Sequence, residues 1–447
     1  MNFLKKYFGD LFFSAFFYYA LAGCMLLFIA SFYLPALFAI SVFAFFGLLI
    51  LALADYSFLF FTRKHPSATR ISAGRMSNGD QNRIEIIVKN DFSFPVMIRV
   101  IDELPEQFQD RGWVRTLQLE GRQQRRIRYF LRPLQRGAYE FGDIHLFTST
   151  PLRLISRRFT SPAREIIPVY PAFLQLFKYE IFSNAIIQGE AGSRRMRKIG
   201  QSMEFEQIKE YVTGDDIRNI NWKAAARRGT LMVNNFMDER SQQVYCIIDK
   251  GRLMKMPFDG LTLLDYAINS TLVLSDICLK KQDRVGVITF SNALGSILAA
   301  DRKPVQKQYI LQLLYNQSTD FLESDFEMLY MQVRNHIRHR SLLILFTNFE
   351  SLSGLNRQLE YLRSIASHHL LLVIFFENTE LHALSAQPAR SVEDVYVKTV
   401  AGKFDFEKRL IAKELQKCGI LTLLTPPQKL TVNAINKYLE LKTRQAI

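Results

Sequence analysis

The chain lacks the sequence marks of the common catalytic classes. Its 447 residues hold no GxSxG, no HExxH, no Walker A loop and no Rossmann glycine fingerprint, so none of those chemistries is announced by motif. Cysteine is scarce. Cys24, Cys246, Cys278 and Cys418 stand far apart and form no CxxC or Cys/His cluster; spacing alone leaves disulfides open, and the reading taken is buried free thiols in a reducing compartment. The seven histidines are scattered. His336 and His339 sit three apart, but Arg334, Arg338 and Arg340 surround them, a poor metal environment read as a solvated helix face. Internal repeats and low-complexity linkers are missing too. Charge is nearly absent from Leu11 to Phe61, where Asp55 is the one Asp, Glu, Lys or Arg.

That uncharged run is long enough for two membrane-spanning helices, each needing about 20 apolar residues. Ser31 to Pro35 breaks it, which predicts a hairpin of helices over about 11–31 and 35–54. A cleaved signal peptide has a shorter apolar core and a small-residue cleavage site. Lys5 and Lys6 precede the first helix, and Arg63, Lys64, Arg70 and Arg75 follow the second. Both flanks are basic, so the positive-inside rule places both ends and the soluble bulk in the cytoplasm. The formal net charge of +15 then suits the anionic inner face of a bilayer. The segment Arg194, Arg195, Arg197, Lys198 is read as solvated or as a contact for headgroups or an acidic partner. No RNP, helix-turn-helix or zinc pattern accompanies it, so nucleic acid is not an expected partner.

Residues 63–171 change character. Arg83–Lys89, Val96–Ile101, Trp113–Leu119 and Arg125–Leu131 alternate in part and are bounded by turn signals such as Asn78-Gly79, which predicts a small antiparallel β-sandwich. Docking module and spacer both remain open as its role. Residues 243–447 alternate short apolar strands with amphipathic helices, the pattern of a mainly parallel sheet covered on both faces. Between them, residues 172–242 form a junction. There Asp215 and Asp216 are N-cap types, Ile217, Ile220 and Ala224 recur at helical spacing, Lys223, Arg227 and Arg228 suit a helix end, and Gly229 stops it.

The wording of Glu204–Arg252 (EFEQIKEYVTGDDIRNINWKAAARRGTLMVNNFMDERSQQVYCIIDKGR) resembles the signature of the DUF58 family. These are membrane-associated bacterial proteins whose C-terminal part looks like a von Willebrand factor A domain. The matching residues include Tyr211, Gly214, Asp215, Asp216, Arg218, Asn221, Trp222, Lys223, Arg227, Glu239 and Asp249. The RGxYxFG phrase from Arg136 to Gly142, followed by Pro151-Leu152, is similar to the segment preceding that signature. The resemblance implies the fold class: an N-terminal transmembrane hairpin, a β-sandwich and a C-terminal α/β von Willebrand A-like (Rossmann-like) domain. It also implies partners, since such proteins are commonly encoded beside MoxR-type AAA+ ATPases and other von Willebrand A proteins. A membrane platform or adaptor for such an ATPase, in the assembly or maturation of envelope proteins at the bacterial inner membrane, is the expected role.

Ligands of open α/β sheets gather at the carboxyl ends of the strands, here Asp249, Ser291, Asn348 and Glu377. The von Willebrand A family places a metal-ion adhesion site there. This chain departs from its DxSxS loop, with Gly251 and Leu253 where the hydroxyls stand and Asn348 where the later aspartate aligns. Lys250 and Arg252 further disfavour a hard cation. The expectation is therefore a non-enzymatic protein without cofactor or metal, Asp249 being the one acid kept from a degenerate site. Asp215, Asp216, Arg218, Asn221, Lys223 and Arg227 are read as an acid–base network with Trp222 as its apolar anchor, and a partner is expected to dock around Asp249, Arg252 and Asn348. The alternatives are a divalent-metal-dependent adhesion-type binder and an uncharacterised hydrolase using the signature's acidic and amide groups.

Overall fold

Uninterrupted apolar sequence makes the first two helices. In the computed structural model, strand β1 (Leu11–Phe13) is followed by α1 (Ala15–Tyr33) and α2 (Leu37–Phe60), both long and apolar enough to cross a membrane by length and composition. The structure describes residues 9–62, 64–110, 112–174, 203–213, 215, 217–238, 242–319, 321–380 and 391–444. The chain divides into two compact units, Met1–Tyr170 and Pro171–Ile447.

The helix limits differ from those expected. Leu11–Phe13 is extended because it pairs antiparallel with the later strand segment Ile155–Arg157. Ser14 then caps α1, accepting the Phe17 N–H at 3.3 Å. Pro35 lies in the turn between the helices rather than opening α2, and Leu37 donates to the Leu34 carbonyl at 2.9 Å. The second helix runs past Ala54 because Asp55 is satisfied inside the protein. It accepts the Thr150 hydroxyl, the Leu154 N–H at 3.1 Å and the Ile155 N–H at 2.9 Å.

The rest of the first unit is β-rich: β2 (Ser67–Ile71), β3 (Met76–Ser77), β4 (Asn82–Lys89), β5 (Val96–Asp102), β6 (Val114–Leu119), β7 (Gln124–Leu131), β8 (Gly137–Phe141), β9 (Ile144–Ser149), β10 (Ile155–Ser161) and β11 (Glu165–Tyr170). They form a five-stranded sheet ordered β1-β10-β9-β5-β6 and two three-stranded sheets, β2-β4-β7 and β3-β11-β8. Alternation supplies one shared core, with Ile84, Ile86 and Val88 of β4 and Ile98 and Val100 of β5 all buried; each such side chain contributes about 1.5–3 kcal/mol by leaving water. Arg70 is buried in that region, paired with Asp102, which also accepts the Tyr129 hydroxyl.

Among the described residues, the first strands of the second unit are the hairpin of β12 (Met203–Glu210) and β13 (Met232–Asp238), whose connection carries α3 (Trp222–Arg228). Next come β14 (Gln243–Asp249), the two-residue pair β15 (Pro257–Phe258) and β16 (Leu261–Thr262), α4 (Leu263–Lys280), β17 (Arg284–Phe290), β18 (Leu294–Asp301), α5 (Gln306–Tyr315), α6 (Phe326–His336), β19 (Leu342–Phe346), α7 (Leu352–His368), β20 (Leu370–Phe376), α8 (Val392–Lys417), β21 (Leu421–Thr425) and α9 (Leu430–Thr443). The sheet order is β18-β17-β14-β19-β20-β21. Five strands are parallel, and β18 is an antiparallel edge.

Period-two alternation divides β14 between two cores. Val244, Cys246 and Ile248 face a cluster with α4, α5 and α9, while Tyr245 and Ile247 face one with α6, α7 and α8. The last long helix is longer than the expected Phe404 start. A capping box of Ser391 and Asp394 opens it at Val392, and its first turns are exposed, so no buried stripe marks them in the sequence.

Candidate functional site

After β14 the chain crosses to β17 on one side and later enters β19 on the other, both parallel to it. The carboxyl ends of β14 and β19 therefore flank the topological switch point, where open α/β sheets leave a crevice. A pocket of about 100 Å³ lies there, lined among others by Asp249, Arg252, Glu323, Asn348, Glu350 and Arg357.

Asp249 ends β14 and is 3 % exposed. Both of its oxygens are engaged. Oδ1 accepts the Gly251 N–H at 2.8 Å and the Ser324 hydroxyl, and Oδ2 accepts the Thr347 hydroxyl at 2.6 Å. Burial pushes its carboxyl above the ordinary aspartate range, outweighing those hydrogen bonds. A Cβ at Gly251 would stand 2.0 Å from Ser324 Oγ, so any side chain there displaces that hydroxyl.

Asn348 follows β19 and is 5 % exposed. Its Oδ1 accepts from Lys408 Nζ of α8 at 2.5 Å. Burial lowers the Lys408 ammonium to about 8, with Glu350 pulling the other way. Arg252 and Glu323 pair at 3.1 Å with both side chains more than half exposed. A pair of that kind is worth about 0–1 kcal/mol and leaves both groups available at the surface.

These donors do not suit a divalent cation, which needs several uncommitted anionic oxygens. Asp249 is saturated by the protein itself, and the Asn348 oxygen already faces an ammonium. Among the described residues no group of three or more His, Cys, Asp or Glu is placed to hold a metal.

The other described signature residues sit elsewhere, at the end of the β12–β13 hairpin. Asp215 accepts from Lys209 Nζ at 2.8 Å and from the Val212 N–H at 3.1 Å; the Lys209 hydrogen bond leads in holding its pKa below the usual range. The cap of α3 is Asn221 rather than an aspartate. Its Oδ1 accepts the Ala224 N–H at 3.0 Å, and its Nδ2 donates to Asn234 at 2.8 Å. Ile217–Asn219 is a separate 3-10 turn rather than part of that helix. Trp222 is 69 % exposed, so it does not anchor the junction. Arg218, Lys223 and Arg227 are exposed as well. Asp216, Gly214, Glu239 and the basic segment Arg194–Lys198 lie outside the described residues.

The structure thus gathers Asp249, Arg252 and Asn348 around one pocket and leaves the other described signature residues, Tyr211 to Arg227, on the β12–β13 hairpin. The sequence reading missed Ser324, Thr347 and Lys408. Thr347 is beside Asn348 at a strand end and could have been found there. Ser324 and Lys408 come from a loop and a helix face with no positional signal.

Comparison with known proteins adds little on fold. The CARDB domain of a Pyrococcus furiosus protein matches at 13 % identity over 24 % of this chain and 92 % of that one, with a TM-score of 0.17. A PapD-like domain of human CEP192 matches at 13 % identity over 23 % of this chain and 85 % of that one, also with a TM-score of 0.17. In sequence, the chain is 24 % identical over 200 residues to the uncharacterized protein YeaD of Bacillus subtilis (strain 168), covering 42 % of this chain and 48 % of that protein. The match therefore spans about half of YeaD. A family model described as "Protein of unknown function DUF58" matches residues 207–394, a stretch that contains Asp215, Asp216, Arg218, Asn221, Trp222, Lys223, Arg227, Asp249, Arg252 and Asn348.

Proposed function

We propose that the protein is a membrane-anchored, cytoplasm-facing interaction platform without catalytic activity. Its α/β region is read as von Willebrand factor A-like, a reading supported by the five parallel strands, the antiparallel edge β18 and the central β14. The observation that carries the interaction role is the chemistry of the rim pocket. Asp249 is buried and saturated, so it is unsuited to act as a general base. Arg252, Glu323 and Arg357 are exposed polar groups at the pocket edge, suited to bind a partner surface. The rival hydrolase reading needs a carboxylate free of partners in the pocket; the metal-dependent adhesion reading needs uncommitted oxygens.

The partner proposed is a MoxR-type AAA+ ATPase, and the bacterial inner membrane is the proposed location; both rest on the family resemblance. A mild-detergent pull-down of the full-length protein from its own cells, with and without ATP and Mg²⁺, tests this. A stoichiometric AAA+ ATPase whose recovery depends on nucleotide is expected, and Arg252→Glu should abolish it. If no ATPase is recovered the partner is wrong; if the variant recovers it fully, the docking surface is wrong.

A further inference from the structure

Four connections of the β-rich region fall at one end. Ser67 and Gln124 both lie opposite Lys89, Leu119 lies opposite Val96, and Met97 lies opposite Ser149. The links α2–β2, β4–β5, β6–β7 and β9–β10 are therefore neighbours. The β6–β7 link packs on the β4–β5 link, since a Cβ on Gly121 would stand 2.4 Å from the Ser93 carbonyl. The end of α2 reaches the same place. Asp55 holds the β9–β10 turn, and Phe58 meets the Phe94 ring at 6.0 Å.

This end presents cations that the fold does not use. Lys89 is paired with Asp91 at 2.7 Å, and Arg158 with Asp10 at 3.2 Å. Lys64, Arg122 and Arg153 are exposed, and among the described residues their side chains have no hydrogen bond or ion pair. Arg122 and Arg153 adopt φ of 61° and 55°, a left-handed conformation in which glycine or asparagine is the unstrained choice. Long cationic side chains thus occupy two loop positions where the backbone favours other residues. Leu152, next to Arg153, is 43 % exposed.

The position of Asp55 sets the depth. Leu37 to Ala54 is free of charge and spans about 27 Å at 1.5 Å per residue, close to the ~30 Å hydrocarbon core. Asp55 then sits at the hydrocarbon boundary, and the loops clustered around it lie in the headgroup layer. We propose that this rim is a binding face for anionic phospholipid headgroups, with Lys64, Arg122 and Arg153 on the phosphates and Leu152 in the acyl boundary. The inference rests on the reading of α1 and α2 as membrane spans. Continuity of the rim with those helices selects lipid as the occupant, and cations near an anionic leaflet are attracted by its surface potential.

The test uses the full chain in nanodiscs of phosphatidylcholine alone or mixed with phosphatidylglycerol, read by amide hydrogen exchange. Phosphatidylglycerol should slow exchange several-fold in Glu120–Gln124 and Thr150–Ile155. The effect should fade at about 0.5 M salt, where screening is strong, and should be lost in Lys64→Gln/Arg122→Asn/Arg153→Asn, whose asparagines tolerate the left-handed backbone. Equal exchange in both discs, or protection by phosphatidylglycerol that ignores salt, overturns the proposal even if the triple variant fails to fold. Protection that persists in a folded variant overturns it as well. Alkaline carbonate extraction separates the two levels. A chain that stays with the membrane but shows no phosphatidylglycerol effect loses the headgroup face alone, whereas a chain that is extracted loses the membrane reading and this inference with it.

Discussion

Lys408 and Asp249 show how burial at the rim becomes a pH dependence. Lys408 titrates near 8 when folded against about 10.4 unfolded. Between those values the unfolded chain binds more protons, so this group makes the protein more stable as pH rises. Removing it isolates the effect from buried Tyr438, Cys246 and Cys278, whose pKa values are raised by burial and which act in the opposite sense. The stability of wild type relative to Lys408→Met should rise by on the order of 2–3 kcal/mol between pH 7.5 and 10, as measured by urea titration of the solubilised chain; a flat difference would show that Lys408 is solvated. Asp249 is the mirror case at low pH. Its raised carboxyl contributes stability that is present below the unfolded pKa and lost as pH rises through the folded one. Gly251→Ala would push Ser324 off the carboxylate, which keeps the Gly251 N–H and the Thr347 hydroxyl, and should cost about 1.5–3 kcal/mol, the net worth of one hydrogen bond to a charged group. A Tm unchanged within error would mean that the loop shifts freely.

At the level of elements, Asp55 joins a helix to a β-turn. Asp55→Ala leaves the Leu154 and Ile155 N–H groups without their acceptor, each costing about 1–3 kcal/mol if it stays buried. The β9–β10 turn should loosen, and trypsin should cut after Arg153 faster than in wild type. An unchanged cleavage rate would show that the turn is held by other contacts. What the sequence disclosed follows the same logic of local against distant causes. The run Val244–Ile248 and its terminal Asp249 were legible because burial on both faces of a parallel strand writes a continuous apolar string. The capping box of α8 is also written in order, but the exposed first turns that follow it carry no apolar stripe to mark a helix. The hydroxyls on Asp249 were not legible, arriving from 75 and 98 residues along the chain. Trp222 misled because a large aromatic suggests burial, whereas the seven-residue α3 buries no side chain. Asp55 looked like an isolated charge in an apolar span because its partners lie about a hundred residues later.

For the whole molecule, the decisive question is on which side of a membrane the second unit lies. The proposed hairpin puts the Leu34–Ala36 turn on one side and everything after α2 on the other. The thiols suit a test, since Cys24, Cys246 and Cys278 are buried and Cys418 is half-buried. In a Cys418→Ser background, Leu34→Cys should react with an impermeant maleimide added to intact cells. A cysteine at exposed Arg357, made by Arg357→Cys, should react only after the membrane is opened. The reverse pattern would place the rim pocket outside the cell and remove the ATPase as a partner, because a cytoplasmic AAA+ protein could not reach it. Labelling of both sites in intact cells would mean that the two apolar helices do not form a two-pass hairpin. The expected pattern would leave the basic loops around Asp55 facing the anionic inner leaflet, the arrangement in which a net charge of +15 favours attachment rather than opposing it.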